Sequence, residues 1–291
     1  MNVVSLFNGM GTLRQAMHDL NIKVDKYYSS EIKPYAIELQ QHHFPDVIQV
    51  GDINNWKEWD IDWKTIDFIG SGSPCQDLSI CGKQKGVEKG NRSSLFFVFV
   101  EILNHIRTLN PNIIFFQENV GSAPKLDVGI MSRALGVYPV RINSSLVTAQ
   151  LRDRYYWTNI RTTKTMFDVV TDIPQPKDLH IKLQDILTDG YTDRIKARAL
   201  LESEGVNYVD KKLLYRRYKE IGMMNLVFDN KECEYNENIR EFNKQEICLL
   251  QGFDKNYCDI LNHVKAGSLL GDGWTLPIVI HFLSFLGEEK K

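Results

Sequence analysis

Three places in this 291-residue chain combine residue types that do chemistry. Cys75 lies in "IGSGSPCQDLS", where an apolar run stops at a Gly/Ser turn and Pro74 stiffens the approach to a thiol. Glu118 lies in "NIIFFQENV", at the end of another apolar run and 43 residues further on. Arg152 and Arg154 stand two apart in "QLRDRYYW", a spacing that on a strand points both the same way. A thiol and a carboxyl converging on one crevice act as nucleophile and acid. Two guanidinium forks aimed there suit carbonyl, carboxylate or phosphate oxygens.

Those groups need a frame. From Asn2 to Gln117, short β-rich runs alternate with helical patterns: "NVVSLF", "KYYSS", "DVIQV", "IDFIG" and "NIIFFQ" against "TLRQAMHDL", "PYAIELQQHHF" and "LFFVFVEILNHIRTL". This alternation predicts βαβ units and a mostly parallel sheet, a Rossmann-like α/β fold. The first strand opens into "FNGMGT", so Gly9 and Gly11 let a ligand approach the backbone. Glu31 ends the second strand, where a carboxylate accepts from ribose hydroxyls, and Asp52 in "VGDI" accepts from an adenine amino group. Together they predict an adenosine-containing cofactor. Arg14 replaces the third glycine of the dinucleotide fingerprint, and these residues alone do not separate a nicotinamide from S-adenosylmethionine.

The ordered set "LFNGMG", "GSPCQDLS", "QENV", "QLRDR", "REFNKQEICLLQGF" and "LLGDGWTLPI" resembles the cytosine-C5 DNA methyltransferase family. "GKQKGVEKGNRSSLFF" is similar to the mobile loop of its bacterial members, "SPCQDLSI" and "GWTLPIVIHFL" to its animal de novo branch. The resemblance runs from about Asn2 to Leu286 and is weak between about Thr162 and Asn238.

The resemblance implies a Rossmann-like S-adenosylmethionine-dependent methyltransferase fold with a small target-recognition domain. Residues 1–165 would bind the cofactor and carry catalysis, 166–238 would recognise the target, and 239–291 would return to complete the first part. Cys75 would add to carbon 6 of cytosine, Glu118 would contact N3 and the amino group, Arg154 would hold O2, and Arg152 would brace the loop or a phosphate. The target base must leave its stack for this chemistry. A loop from Gln76 to Arg92 would close over it, with Gln76, Ser79, Lys83 and Lys85 toward the nucleic acid. Phe7, Gly9, Gly11, Thr12, Glu31, Ile32, Asp52, Ile53, Pro74, Leu95, Gly273 and Trp274 would hold S-adenosyl-L-methionine and its product S-adenosyl-L-homocysteine. Asp272 departs from the family's usual residues.

Composition sets the bounds. No apolar run reaches the roughly 18 residues of a membrane helix, and "MNVVSLFNGMG" lacks the basic stretch of a signal peptide. Five cysteines with no C-x-x-C pair argue against a disulfide framework and against a metal site, and imply a reducing, cytoplasmic setting. Net charge is −2, but Thr192 to Lys219 carries eight Lys/Arg against four Asp/Glu. Arg216 and Arg217, with Tyr208, Tyr215 and Tyr218, are therefore candidate contacts to double-stranded DNA. Trp56, Trp59 and Trp63 are expected to pack a long connection rather than stack on bases. Cys81 is expected to be a spectator and Cys248 a core residue. Oligomeric state and target sequence are not legible. A transfer-RNA cytosine methyltransferase is the alternative enzyme. A silent binding homologue has no need of Cys75, Glu118 and Arg154, and a nicotinamide oxidoreductase leaves the cysteine and arginine motifs unused.

Overall fold

The computed structural model describes residues 1–74, 94–203, 210–222 and 224–287, the side chain of Ser94 excepted. Cys75, Gln76, Ser79, Cys81, Lys83, Lys85 and Tyr208 lie outside the described residues.

The expected alternation is present: β1 (Asn2–Leu6), α1 (Thr12–Asp19), β2 (Lys26–Ser30), α2 (Pro34–His43), β3 (Ile48–Gln49), β4 (Phe68–Ser71), α3 (Ser94–Leu109), β5 (Ile114–Val120) and α4 (Lys125–Leu135). The strands follow from their apolar content, and each helix buries one stripe. In α1 the stripe is Leu13, Ala16 and Met17; in α3 it is Phe96, Phe99, Ile102, Leu103 and Ile106. Pro34 opens α2, where its missing N–H costs nothing.

Next come β6 (Val140–Asn143), β7 (Gln150–Leu151), β8 (Asp153–Thr158), β9 (Thr162–Lys164), β10 (Val169–Thr171), β11 (Ala197–Arg198), α5 (Lys211–Glu220), α6 (Lys244–Leu250), α7 (His263–Asp272) and α8 (Leu276–Leu283). The main sheet has the order β3-β2-β1-β4-β5-β8-β6. Its β1–β2, β2–β3, β1–β4 and β4–β5 pairs are parallel, whereas β8 runs antiparallel to β5. The mostly parallel Rossmann-like sheet is thus present. The helix expected near "CDILNHV" begins later, because Asn262 caps the Lys265 N–H and starts α7 at His263.

Two compact units divide the chain. One is Met1–Ile142, Asp153–Gln175 and Val279–Lys291; the other is Asn143–Arg152 and Pro176–Ile278. The cut after Gln175 falls within "DIPQPKD". These units do not follow boundaries at 165 and 238: the 239–278 stretch clusters with 176–238. Glu246, fully buried in α6, supplies one reason. It accepts from Thr188 and Arg240, and Arg240 also pairs with Asp189.

The first unit's main core lies around β1, β4, β5 and α3, and Trp56, Trp59 and Trp63 belong to it or pack on it. Trp56 and Trp63 meet edge to face at 5.7 Å and both contact His105 of α3. Packing, as expected, is what these tryptophans do. The second unit has a smaller cluster of Leu214, Tyr218, Leu226, Phe228, Cys233 and Ile239.

Candidate active site

Strand register puts the site on one line. Leu6 pairs with both Ser30 and Ser71, Ser71 pairs with Gln117, and Gln117 pairs with Trp157. One residue further along β1, β2, β4 and β5 come Phe7, Glu31, Gly72 and Glu118. From β1 the chain crosses to β2 on one side, while β4 flanks it on the other. That is the switch point where open α/β sheets bind ligands, outside the carboxyl ends of the strands.

The glycine turn after β1 is left-handed at Phe7 (φ 54°), Gly9 (φ 54°) and Gly11 (φ 82°). Gly9 tolerates this conformation because it has no Cβ. A buried polar network holds the turn from below. Asn8 Oδ1 accepts from Ser5 Oγ at 2.7 Å and Tyr27 Oη at 2.9 Å, and its Nδ2 donates to Ser29 Oγ at 3.0 Å. Burial pushes the Tyr27 phenol pKa up, so the hydroxyl stays a donor. Gln40 of α2 donates to the Gly9 carbonyl at 2.6 Å.

Glu31 sits above this network. Its Oε2 accepts from Gly9 N at 2.8 Å, and its Oε1 from Ile32 N at 2.7 Å and Lys33 N at 2.9 Å. A carboxylate has about four acceptor positions, so the known bonds leave room for a hydroxyl. Ile32 beside it is 70% exposed, an apolar side chain open to a ring. Asp52 Oδ1 accepts from Asn54 N and Nδ2. An open backbone turn, an acceptor for hydroxyls and an exposed apolar side chain fit an adenosyl group. Ile53 does not join them: it is 4% exposed and packs in the core. Thr12 is buried at the start of α1, and Leu95 is half-buried against the core. Arg14, where a third glycine was absent, reaches Asp46 at 3.1 Å and lies over Phe44.

Glu118 and Arg154 meet directly. Glu118 faces Tyr156 and Val120 faces Arg154 across the antiparallel pair. Tyr156 and Arg154 are two apart on β8, so Glu118 and Arg154 share a sheet face as diagonal neighbours. Arg154 Nε lies 2.8 Å from Glu118 Oε1, both side chains under a fifth exposed. Arg154 Nη1 also donates to the Asp153 carbonyl. Gly121, just past Glu118, permits this approach: a Cβ there would lie 2.7 Å from Asp153 Cγ and 2.8 Å from its carbonyl oxygen. Gln117, fully buried, donates to Ser73 Oγ at 3.0 Å and to the Glu118 carbonyl. It thereby ties the segment before Pro74 to the backbone at Glu118.

Arg152 and Arg154 do not behave alike. Arg152 lies between β7 and β8, outside either strand, so the same-face expectation fails. Its guanidinium is buried and donates to the carbonyls of Leu200, Gly271 and Gly273, at 3.3, 3.1 and 2.8 Å. All are in the second unit. The side chain braces "GDGW" from within. Gln150 and Gln251 join that brace: Gln150 bonds the Leu250 carbonyl and Gln251 Oε1, and Gln251 bonds Thr275. Gly273 caps α7, Trp274 is half-buried, and Asp272 is the exposed last residue of α7.

The two described tyrosines proposed for nucleic acid, Tyr215 and Tyr218, turn inward. Tyr218 is 3% exposed and stacks under the Arg194 guanidinium at 4.0 Å. Tyr215 packs on Phe228 and Tyr235. Their i, i+3 spacing marks the buried stripe of α5, not a platform. Arg216 stays exposed, 4.0 Å from Glu220, and Arg217 is half-buried. Among the described residues no His/Cys/Asp/Glu group could hold a metal, and no helix is long and apolar enough to cross a membrane. Sequence reasoning missed Asn8, Gln40 and Gln117. Gln40 had a signal, a polar residue at i+4 from Ala36 and next to Leu39 on the buried face of α2.

Residues 1–133 match the family model for C-5 cytosine-specific DNA methylase. The chain is 30% identical over 205 residues to the orphan methyltransferase M.SPRI of Bacillus phage SPR, a match spanning 65% of this chain and 43% of that protein. It is 36% identical over 104 residues to the type II methyltransferase M.NgoBV of Neisseria gonorrhoeae, spanning 34% and 24%. The chain therefore matches less than half the length of these relatives. Among solved structures, the Entamoeba histolytica methyltransferase EhMeth aligns at TM-score 0.66 and 18% identity, covering 98% of this chain and 97% of that one. A Spodoptera frugiperda DNMT2 variant aligns at 0.62 and 16%, covering 99% of both. Identities this low speak for the fold.

Proposed function

We propose that this chain, whose residues 1–133 match the C-5 cytosine-specific DNA methylase model, is a cytosine-C5 methyltransferase that methylates carbon 5 of cytosine in double-stranded DNA. The observation that carries this reading is the Glu118–Arg154 pair, on the same line of strand ends as the glycine turn and Glu31. S-adenosylmethionine supplies an electrophilic methyl group on a sulfonium and leaves as S-adenosylhomocysteine.

The residues divide the work. Phe7, Gly9, Gly11 and Thr12 form the turn against which the cofactor lies, Glu31 accepts a ribose hydroxyl, Ile32 covers the adenine and Asp52 accepts its amino group. Pro74 and Leu95 add to these contacts within the first unit, and Gly273 and Trp274 are assigned to the cofactor by the "GDGW" motif alone. Cys75 is the nucleophile. Free thiols ionise near a pKa of about 8.5, so the site must favour the thiolate. The sulfur bonds to carbon 6, and the electrons of the carbon 5–carbon 6 double bond shift to carbon 5. Carbon 5 would then take the methyl group that a bound sulfonium supplies, the bonding pair being left on the sulfur. A base, water in this reading, then removes the proton from carbon 5, the double bond re-forms and the thiolate of Cys75 leaves.

Glu118 manages charge on the ring. With Arg154 on its Oε1, it presents Oε2 to N3 and the amino group, a positioned acid of the kind worth about 10²–10⁴ in rate. Arg154 holds O2 with its remaining N–H groups. Gln76, Ser79, Lys83, Lys85, Arg216 and Arg217 are assigned to the nucleic acid. Salt sensitivity of binding would follow from such cationic contacts.

Trapping tests the mechanism. Duplex DNA containing 5-fluorocytosine, incubated with the protein and S-adenosylmethionine, is expected to give a covalent complex that survives denaturation, because fluorine blocks release of Cys75. Cys75→Ser abolishes the complex and methyl transfer. Labelled methyl appearing in transfer RNA but not in duplex DNA would move the reading to the RNA alternative. Retention of full activity by Cys75→Ser would overturn the covalent mechanism.

A further inference from the structure

We infer that Gln40 is a positioning residue through which this chain recognises the ribose hydroxyls of its adenosyl cofactor, an inference that rests on the methyl-donor reading above. Gln40 is 1% exposed on α2 and touches no surface itself. A buried amide is costly unless bonded, and this one is bonded at both ends. Its Nε2 donates to the Gly9 carbonyl at 2.6 Å, while its Oε1 accepts from Ser29 Oγ at 2.7 Å and Gln49 Nε2 at 2.9 Å. Because Ser29 and Gln49 both donate to Oε1, the amide orientation is set, and Nε2 must face Gly9.

Gly9 is where this matters. Its φ of 54° is reached by a flexible residue with no Cβ to restrain it. Both of its backbone polar groups are held by the next βα unit: the carbonyl by Gln40 and the N–H by Glu31 Oε2 at 2.8 Å. Glu31 in turn has Oε1 occupied by two N–H groups, from Ile32 and Lys33. Its remaining acceptor direction is thus set by the orientation of the Gly9 N–H. Gln40, Gly9 and Glu31 are linked by two bonds, and the chain ends where a ribose hydroxyl would donate. Loosening Gln40 frees the Gly9–Met10 peptide; through the unrestrained Gly9 Cα this loosens the neighbouring Asn8–Gly9 peptide, whose N–H aims the Glu31 carboxylate.

A satisfied core glutamine with no such role predicts a different result. It would lower affinity for every adenosyl ligand alike, or lower only stability. The distinction is a cycle between protein and ligand, read by calorimetry with S-adenosylhomocysteine and its 2′-deoxy and 3′-deoxy analogues. A hydrogen bond to a charged group contributes enough for the wild type to prefer the parent compound by about tenfold or more over at least one analogue. In Gln40→Met, of similar volume but without the amide, that preference is expected to fall to about threefold or less. Affinity for the deoxy compound should stay within about twofold. Gln40→Glu provides a second route. Its introduced carboxylate would face the Gly9 carbonyl and lose the preference at neutral pH, and regain it when protonated at low pH, where it can donate. Equal losses for parent and deoxy ligands in both variants overturn the inference. Failure of the wild type to bind S-adenosylhomocysteine at all overturns the cofactor reading and this inference with it.

Discussion

The glycine turn of the first unit and the "GDGW" turn of the second are both held by buried side chains, but with opposite chemistry. Beneath the glycine turn the fasteners are neutral: Asn8, Gln40, Ser5, Ser29 and Tyr27. Around the second turn the main fastener is a cation. Arg152 gathers three carbonyls there, and in the same unit Lys196 gathers those of Ser145, Thr148 and Ile181 at 2.6–2.9 Å. Burial lowers the Lys196 pKa, yet the three carbonyls keep it well solvated by protein. Amides and hydroxyls both donate and accept, so the neutral network fixes orientation at both ends. A cation only donates. It draws carbonyls together strongly but says less about their direction. The neutral network therefore suits the place where a carboxylate must be aimed, and the cations suit places where segments distant in sequence must be joined.

That contrast can be broken, and the largest test is ionic. Glu246→Ala leaves Arg240 without its buried partner and frees five hydrogen bonds, so the second unit should lose about 3–5 kcal/mol in denaturant unfolding. Arg152→Met comes next, at about 2–4 kcal/mol, because buried carbonyls lose their donors. If that variant keeps its stability but loses methyl transfer, Arg152 is catalytic and the brace is incidental. Asn8→Ala should cost about 1–2 kcal/mol in the first unit, with a weaker affinity for S-adenosylhomocysteine as its functional sign. A loss as large as that of Arg152→Met would erase the distinction between neutral and cationic fasteners.

The smallest effect is a pH response. Burial and Lys244 lower the His263 pKa in the folded state. The unfolded chain then binds a proton more readily, so the contribution of His263 to stability is present above the ordinary imidazole range and lost as pH falls through it. Unfolding midpoints should drop slightly more between pH 8 and pH 5 for the wild type than for His263→Asn.

Much of the first unit was legible because parallel βαβ units carry a strong pattern. The runs at Asn2, Lys26, Phe68 and Ile114 read as strands and are strands. Glu118 was legible from its place at the end of an apolar run, and Arg154 from its motif. The antiparallel sense of β8 was not, since "RDRYYW" looks the same in either direction. Arg152 was misjudged for the same reason: alternation was assumed where the chain leaves one short strand and starts another. Tyr215 and Tyr218 looked like a nucleic-acid surface because basic residues flank them, yet the α5 spacing places them on its packed side. Asn8 and Gln40 bond to groups from other segments, and sequence order records no such meeting.

Phe282 of α8 lies 5.2 Å from Phe116 and 4.9 Å from Tyr156, ring to ring, within the first unit. Between Gln175 and Val279 the chain spends about 100 residues in the other unit, a separation that adds to the closure entropy only logarithmically. The thermodynamic cost of this arrangement is mild, but the kinetic one is not. During synthesis at about 5–20 residues per second, the face of β5 and β8 that bears Phe116 and Tyr156 waits several seconds for its last aromatic partner. The sheet that carries Glu118 and Arg154 is therefore finished by a segment made long after both, and a nascent chain stalled in the second unit would expose Phe116 and Tyr156 to chaperones.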